Sequence, residues 1–379
     1  MRARLLPSGQ RPPFPLGRVT TVSWAEVIAR RLERSSLEPR AGDLVEVVSA
    51  LGGVQAQLQS SAELQLAARV DGITQADVRA ALWERRELVT AWTLRGTLHL
   101  HPANELPLWH AARRAVAPED QSLPPWRDPN GKDHPPLDAG QVAAVRAAVH
   151  EVLDGRCLLR EEIADEVVAL VGPEPRARLS SGFAFFLGNL CQGPPRGGKV
   201  TFVRPDQWID EWSEPNEDEA LREACRRFLS AYGPARPRDF LEWFGGRRAP
   251  FDELELDEID VEGRRAYVLA GDTDFPQPSE SLRLLPEYDA YVMGFRERDV
   301  LVPPGVRELV AARPRGRYEG PAGLRFLLVD GVTTGLWDRA KRGRRFEIHV
   351  SGTKRRDELE AEVARIGAFL GLEPVLTVD

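Results

Sequence analysis

The sequence predicts an α+β protein with more than one hydrophobic core. Segments with helical periodicity are repeatedly followed by a short segment in which polar and apolar residues alternate, as they do in a strand. The last hundred residues consist mostly of such strand-like segments. A chain of 379 residues, of which 42% are hydrophobic, is long enough for two or three compact units.

The first unit is predicted over residues 22–121. It follows a basic, partly disordered lead-in at residues 1–21, which has no apolar stretch long enough for a signal peptide or a membrane span. Helices are expected from residue 24, after the capping residue Ser23, and over 43–50, 62–68 and 74–85. A half-buried strand is expected next, over residues 91–101. Its polar, cationic face would consist of Arg95, Thr97, His99 and His101.

The same order of elements is expected twice more, over residues 137–212 and residues 216–275. A linker rich in Pro, Asp and Gly precedes the first of these repeats. Helices are expected over residues 141–153, 160–170, 178–190, 217–232 and 237–244, and strands over 200–203 and 266–269. Several short helices followed by a β-wing are typical of a winged-helix unit, a variant of the helix-turn-helix architecture. The sequence therefore predicts tandem winged-helix units.

A β-rich domain is predicted over residues 276–379. Strands are expected over residues 282–285, 288–295, 326–329, 332–337 and 346–350. Asp330 and Gly331 form a favoured two-residue hairpin turn between two of these strands. A final helix is expected over residues 357–370, ended by Gly371.

Charge is distributed unevenly along the chain. The formal net charge of −7 argues against a protein that coats nucleic acid indiscriminately. Residues 313–356, however, contain twelve Arg or Lys against four Asp or Glu. In this region a basic loop after the hairpin is expected to contact DNA phosphates, and a solvated turn is the alternative. The candidate contacts are Lys341, Arg342, Arg344 and Arg345.

No metal or cofactor is expected. The three cysteines form no Cys-x-x-Cys pair, which indicates neither a disulfide framework nor a zinc site and fits a reducing, cytoplasmic location. His99 and His101 are two residues apart and could chelate an ion, but no Cys or carboxylate pattern nearby would complete the ligand shell.

Three glutamines, Gln55, Gln57 and Gln59, alternate along the chain and would share one face of an extended backbone. Neutral amides can hold a water molecule and stabilise positive charge, but they cannot exchange protons as a carboxylate or an imidazole does. Catalysis here would require a substrate that is already activated. A solvated surface run is the alternative interpretation.

Three stretches of the chain resemble one known family. They are Gly-Val-Gln-Ala-Gln at 53–57, Trp-Thr-Leu-Arg-Gly-Thr-Leu-His-Leu at 92–100, and Leu-Leu-Pro-Glu-Tyr-Asp-Ala-Tyr-Val-Met-Gly-Phe-Arg at 284–296. In their order they resemble the AlkZ-like winged-helix DNA glycosylases, also called the YcaQ family, over most of the chain. The resemblance implies a C-shaped channel around duplex DNA, with Gln55 and Gln57 facing the damaged nucleotide as the catalytic pair. Subfamilies vary at these two positions, so the lesion preference does not transfer.

The predicted function that follows is that of a monofunctional DNA glycosylase. It would hydrolyse the N-glycosidic bond of N7- or N3-alkylated purines in double-stranded DNA, with interstrand crosslinks as further candidate substrates. Arg95, Thr97 and His99 are additional candidate DNA contacts. The chain would act as a monomer at the nucleoid, since a clamp needs no partner.

Lyase chemistry is not expected, because none of the four lysines lies beside the glutamine motif to form a Schiff base. The alternative function is a non-catalytic winged-helix DNA-binding protein or regulator. A small-molecule hydrolase built on Glu287 and Asp289 is disfavoured, because these carboxylates are expected to pack at a sheet edge.

Overall fold

A computed structural model describes residues 20–117, 121–128, 130–181, 190–312, 323–343, 345–352 and 355–378. Helices and strands both occur throughout these ranges, which confirms the predicted α+β class. Most of the predicted lead-in lies outside the described residues. No described helix has the length and apolar character needed to cross a membrane.

The first part of the chain combines five helices with a small antiparallel sheet. Its elements are β1 (Thr20–Val22), α1 (Trp24–Arg34), α2 (Leu44–Ala50), β2 (Val54–Gln55), α3 (Gln59–Ala67), α4 (Gln75–Trp83), β3 (Leu88–Trp92), β4 (Leu98–Pro102) and α5 (Leu106–Arg114). The Ser23 hydroxyl accepts a hydrogen bond from the Glu26 N–H, and the Glu26 carboxylate accepts one from the Ser23 N–H. This capping box fixes the start of α1 where the sequence predicts it. In the sheet, β4 lies between β2 and β3.

The prediction of one continuous strand over residues 91–101 is wrong, because the chain turns back within it. After β3 the chain forms a tight turn, with Arg95 at φ 56° and Gly96 at φ 70°, before β4 begins. The left-handed conformation at both positions is what allows this turn. The polar residues of this stretch therefore do not share one exposed face, and both His99 and His101 are buried.

The second part of the chain contains a helical cluster and a three-stranded sheet in the order β7-β9-β8. Its elements are β5 (Trp126–Arg127), β6 (Asp133–His134), α6 (Ala139–Val152), β7 (Leu158–Leu159), α7 (Arg160–Val171), α8 (Arg176–Ser181), β8 (Cys191–Arg196), β9 (Lys199–Val203) and α9 (Pro205–Trp208). The end of the helix predicted to residue 190 lies outside the described residues. The Gly- and Pro-rich residues 193–196 belong to β8, and the chain reverses at Gly197 and Gly198.

The third part of the chain shares a core with the N-terminus. Its elements are α10 (Glu217–Tyr232), α11 (Pro237–Phe240), β10 (Leu256–Val261) and β11 (Arg264–Leu269). β1 pairs in parallel with β10, with Val22 opposite Val261, and Val27 of α1 packs into the same hydrophobic cluster. The boundaries between the winged-helix units remain a prediction. In the structure, residues from two of these predicted units pack together, as Val27 and Val261 do.

The C-terminal part forms a five-stranded sheet in the order β12-β13-β14-β15-β16, in which only the last described pair is parallel. Its elements are β12 (Leu282–Leu285), α12 (Ala290–Gly294), α13 (Arg298–Leu301), α14 (Pro304–Ala311), β13 (Phe326–Val329), β14 (Val332–Arg342), β15 (Arg345–Ser351), α15 (Arg356–Leu370) and β16 (Glu373–Val378). The Asp330–Gly331 turn has positive φ at both residues, as a favoured hairpin turn requires. Gly371 ends α15 in a left-handed conformation, as predicted.

The strand predicted over residues 288–295 is wrong, because this segment forms α12. Asp289 caps the helix: its carboxylate accepts a hydrogen bond from the Tyr291 N–H at 2.9 Å. The same carboxylate pairs with both terminal nitrogens of Arg69, at 2.7 and 2.8 Å, and neither side chain is exposed. This ion pair fixes the end of α3 against the start of α12.

Candidate functional site

A small, narrow cleft lies among the first, third and C-terminal parts of the chain. Its polar side chains include Gln55, Arg95 and His99, and its aromatic side chains are Tyr232, Trp243 and Tyr288. The cleft therefore brings polar side chains and aromatic rings from three parts of the chain together around a narrow space.

Gln55 reaches the cleft because of the register of its strand. It lies directly opposite His99 in the antiparallel pair of β2 and β4, so both side chains leave the same face of the sheet. The side chain is buried, and its Oε1 accepts a hydrogen bond from Nη2 of Arg95 at 3.2 Å. One of the two lone pairs of this oxygen is thereby used inside the protein.

Arg95 is held in place by its backbone and by both terminal nitrogens. Besides Gln55, it donates a hydrogen bond to the Trp243 carbonyl oxygen. The Cα of Arg95 packs closely against Gly245: a Cβ on residue 245 would stand 2.7 Å from it. Burial lowers the pKa of Arg95 to about 10, so the guanidinium keeps its charge at neutral pH. Arg95 therefore orients Gln55 from within the protein.

His99 is neutral in the folded protein, and one of its ring nitrogens is free. Nδ1 lies 2.9 Å from the Thr97 carbonyl oxygen, which can only accept, so Nδ1 carries the proton and donates. Burial, and the nearby charge of Arg95 to a smaller extent, lower the pKa of His99 to about 3. Nε2 makes no hydrogen bond with any described residue, which leaves its lone pair available on the side of the cleft.

His101 lies behind the cleft and has a structural role. It is hydrogen-bonded to Oγ1 of Thr93 at 2.8 Å, and its ring lies 4.9 Å from that of Trp109. Gly53 packs against this ring so closely that a Cβ at residue 53 would stand 2.5 Å from Cε1 of His101. The glycine that begins the glutamine motif is therefore required by the space that His101 occupies.

Gln65, which the sequence analysis did not single out, connects two sides of the cleft. Its Nε2 donates to the Gln55 carbonyl oxygen at 3.1 Å, and its Oε1 accepts from the Ala290 N–H at 3.0 Å. The side chain is fully buried. The sequence offered one signal for this role: Gln65 is a polar residue between the apolar residues Leu64 and Leu66 of a helix.

The aromatic side chains of the cleft were also missed, because they come from segments distant in sequence. Tyr232 ends α10 and donates its hydroxyl hydrogen to the Leu51 carbonyl oxygen at 2.9 Å. Its ring lies 5.6 Å from that of Trp243. Tyr288 precedes α12 and is half-buried, in a left-handed conformation at φ 58°. Tyr232 and Trp243 are buried in the core, whereas the half-buried ring of Tyr288 offers the cleft an accessible π face that attracts flat and cationic groups.

The three glutamines do not share one face, contrary to the prediction. The extended backbone of β2 ends at Gln55, and Gln59 is already the first residue of α3. Gln57 is exposed and Gln59 donates to Glu63 at 3.3 Å, while Gln55 is buried in the cleft. The structure therefore separates Gln55 from the other two.

The basic segment predicted as a loop is mostly a β-hairpin. β14 continues to Arg342, the chain turns at Gly343, and β15 begins at Arg345. Lys341 and Arg345 are exposed at this tip, whereas Arg344 and the side chain of Arg342 lie outside the described residues. Arg339, lower in the hairpin, donates to the Ser60 hydroxyl at 3.3 Å, so the hairpin rises beside the start of α3.

The remaining candidate residues have structural contacts. Thr97 is half-buried and donates its hydroxyl hydrogen to the Leu94 carbonyl oxygen at 3.0 Å. Glu287 pairs with Arg325 and Arg339, and Asp289 with Arg69. The structure therefore supports packing roles for both carboxylates. Within the described ranges, no three His, Cys, Asp or Glu side chains are grouped as metal ligands would be.

Comparisons with known proteins cover most of the chain. Residues 48–369 match the family model described as DNA glycosylase AlkZ-like. An interstrand DNA cross-link repair glycosylase of Streptomyces sahachiroi is 32% identical over 339 residues, which are 83% of this chain and 88% of that protein. The solved structure of Streptomyces sahachiroi DNA glycosylase AlkZ is similar at a TM-score of 0.79 with 28% identity, over 95% of this chain and all of that one.

Proposed function

We propose that this chain, which belongs to the family of AlkZ-like DNA glycosylases, hydrolyses the N-glycosidic bond of alkylated purines in double-stranded DNA. The observation that carries the proposal is the composition of the cleft. Its described lining offers the amide of Gln55, the neutral imidazole of His99, the Arg95 guanidinium that holds Gln55, and aromatic rings, but no carboxylate and no lysine. Such a site lacks a general acid to protonate a leaving base.

A purine alkylated at N7 or N3 needs no such acid. It already carries a positive charge, and it becomes neutral when the bond between the base and C1′ of the sugar breaks. The remaining tasks are to place a water molecule and to stabilise the oxocarbenium ion that develops on the sugar. The chemistry of the cleft and the chemistry of this substrate class therefore agree.

Gln55 and Gln57 are the proposed catalytic residues. Gln55 lines the cleft with its amide held by Arg95, and Gln57 follows two residues later on the exposed side. In this proposal Gln57 approaches the nucleotide once DNA covers the motif. Stacking between the base and the half-buried ring of Tyr288 would favour the cationic base, because a ring face attracts positive charge.

The proposed DNA interface extends from the cleft to the basic hairpin. Arg95, Thr97 and His99 belong to the cleft side, where they would meet the target nucleotide. Lys341 and Arg345 are exposed and would contact phosphates, with Arg342 and Arg344 from the same segment. The link between Arg339 and Ser60 supports this arrangement, because it keeps the hairpin close to the glutamine motif.

Crosslink unhooking is the second part of the proposal. The Streptomyces sahachiroi relative is named as a crosslink repair glycosylase. An N7-linked purine in a crosslink carries the same charge and offers the same bond to water. The proposed reaction is monofunctional, since the described cleft lining offers no lysine for a Schiff base. We further propose that the protein acts as a monomer in the cytoplasm, at the nucleoid.

The test is excision from duplex DNA with a single N7-methylguanine, followed by alkali to cut abasic sites. We expect strand cleavage only after alkali, and no borohydride-trapped adduct. Gln55→Ala and Gln57→Ala should each lower the single-turnover rate by at least about 100-fold, as expected for loss of a transition-state contact. Gln59→Ala is the matched control and should keep the rate. DNA binding without release of any alkylated or crosslinked base would instead indicate a non-catalytic DNA-binding protein.

A further inference from the structure

His99 has an unused hydrogen-bond acceptor in the cleft. Its Nδ1–H is committed to the Thr97 carbonyl oxygen, and this bond fixes the orientation of the ring. Nε2 is then the nitrogen left for the cleft, and it contacts no donor among the described residues. Nε2 is the ring nitrogen that stays accessible from the cleft, so its lone pair can bind a water or a ligand there.

Two side-chain acceptors of the cleft face each other across the strands. Oε1 of Gln55 accepts from Arg95 and has one lone pair left. Nε2 of His99 offers a second lone pair, whereas Arg95 is a donor only. Gln55 Oε1 and His99 Nε2 can therefore share one water.

The strand register brings these two acceptors together. Gln55 and His99 are directly opposite across β2 and β4, where Cβ atoms are about 4.5–5.5 Å apart. A water that donates one hydrogen to each acceptor has both O–H bonds directed into the protein. Its lone pairs then point outward, toward a nucleotide in the cleft.

We propose that His99 is a further catalytic residue, whose Nε2 accepts a hydrogen bond from the attacking water while Gln55 accepts the second. The inference rests on the proposed glycosylase function. The water oxygen forms a bond to C1′, the bond from C1′ to the purine nitrogen breaks, and its electron pair neutralises the cationic base. The proton that the water loses passes to bulk solvent.

A neutral imidazole suits this step better than a charged one. An imidazolium would have no lone pair for the water, and it would add a second positive charge to that of Arg95 beside the cationic base. Burial keeps His99 neutral across the physiological pH range. Its role is therefore to position and polarise the water rather than to retain its proton.

Two substitutions test the roles of the two ring nitrogens of His99 separately. His99→Asn keeps a donor near the Thr97 carbonyl oxygen but removes the acceptor at Nε2, whereas His99→Gln places an amide oxygen near the Nε2 position. We expect His99→Asn to lower the single-turnover excision rate at saturating protein about 10- to 100-fold, with affinity for DNA within about threefold of wild type and with the variant still folded at the assay temperature. His99→Gln should recover most of the loss.

The inference is overturned if folded His99→Asn excises within about threefold of wild type. It is also overturned if the variant loses DNA affinity in proportion to its rate, or if His99→Gln is folded and equally slow. Should His99→Asn not fold, His99→Met takes its place under the same criteria. Absence of excision by the wild-type protein would refute the proposed function, whereas normal excision by His99→Asn would refute only the role of His99.

Discussion

Replacing Gly53 with alanine tests whether the glutamine motif is packed as tightly as the structure indicates. Gly53 has a φ of +115°, which L-residues rarely adopt. An alanine Cβ would also stand 2.5 Å from Cε1 and 3.0 Å from Nδ1 of His101. His101 cannot easily withdraw, because Thr93 and Trp109 hold its ring.

The expected cost has two parts. The unfavourable backbone conformation costs about 1–2 kcal/mol. The contact with a fixed ring in a packed core adds about 1–3 kcal/mol. Gly53→Ala should therefore lower the free energy of unfolding by about 2–5 kcal/mol. It should also slow excision, since Val54 and Gln55 would shift against β4.

Gly72→Ala is the matched control. Gly72 also has a positive φ, of +73°, but a Cβ there would meet nothing within 4 Å. This variant should show only the backbone cost of about 1–2 kcal/mol and normal excision. Urea unfolding followed by tryptophan fluorescence measures both variants. If Gly53→Ala is no less stable than Gly72→Ala, the packing argument for the motif is wrong.

Three other predictions follow from the structure. Asp289→Leu should lower the free energy of unfolding by about 3–5 kcal/mol in urea unfolding, because Arg69 is left buried without its partner. The double variant with Arg69→Met should recover part of the lost stability. Burial lowers the pKa values of His99 and His110 to about 3 in the folded protein, so the unfolded state binds more protons below pH 6.5. The free energy of unfolding should therefore fall as the pH drops from 6.5 toward 4, by up to about 1.4 kcal/mol per pH unit for each histidine. A constant free energy of unfolding over that window would contradict the burial of both rings in the neutral form. Lys341→Ala with Arg345→Ala should reduce the slope of log affinity against log salt by about 2, whereas Arg127→Ala with Lys132→Ala should leave it unchanged if that exposed hairpin is away from DNA.

Much of the fold followed from local signals in the sequence. The cap residue Ser23 predicted the start of α1, and Asp330–Gly331 predicted a hairpin turn. These signals act within a few residues and do not depend on the rest of the chain. The family resemblance, also visible in the sequence, is confirmed over residues 48–369.

Features set by distant contacts could not be predicted in this way. The alternating residues around Arg95 look like one strand, but a left-handed turn divides them. The segment after Tyr288 has strand-like composition, but Asp289 caps it as a helix and pairs with Arg69. Tyr232 and Trp243 enter the cleft only through packing of the third part against the first. The residues of the glutamine motif were therefore visible in the sequence, whereas their surroundings were not.

The bridge formed by Gln65 has a consequence for the biosynthesis of the protein. Gln65 bonds to Ala290, which is 225 residues later in the chain. At about 5–20 residues per second, a ribosome needs on the order of tens of seconds to add that length. Until then the amide of Gln65 lacks one of its partners, and the cleft lacks Ala290 and Met293. We therefore expect the nascent chain to be unable to excise a base until its C-terminal part has emerged.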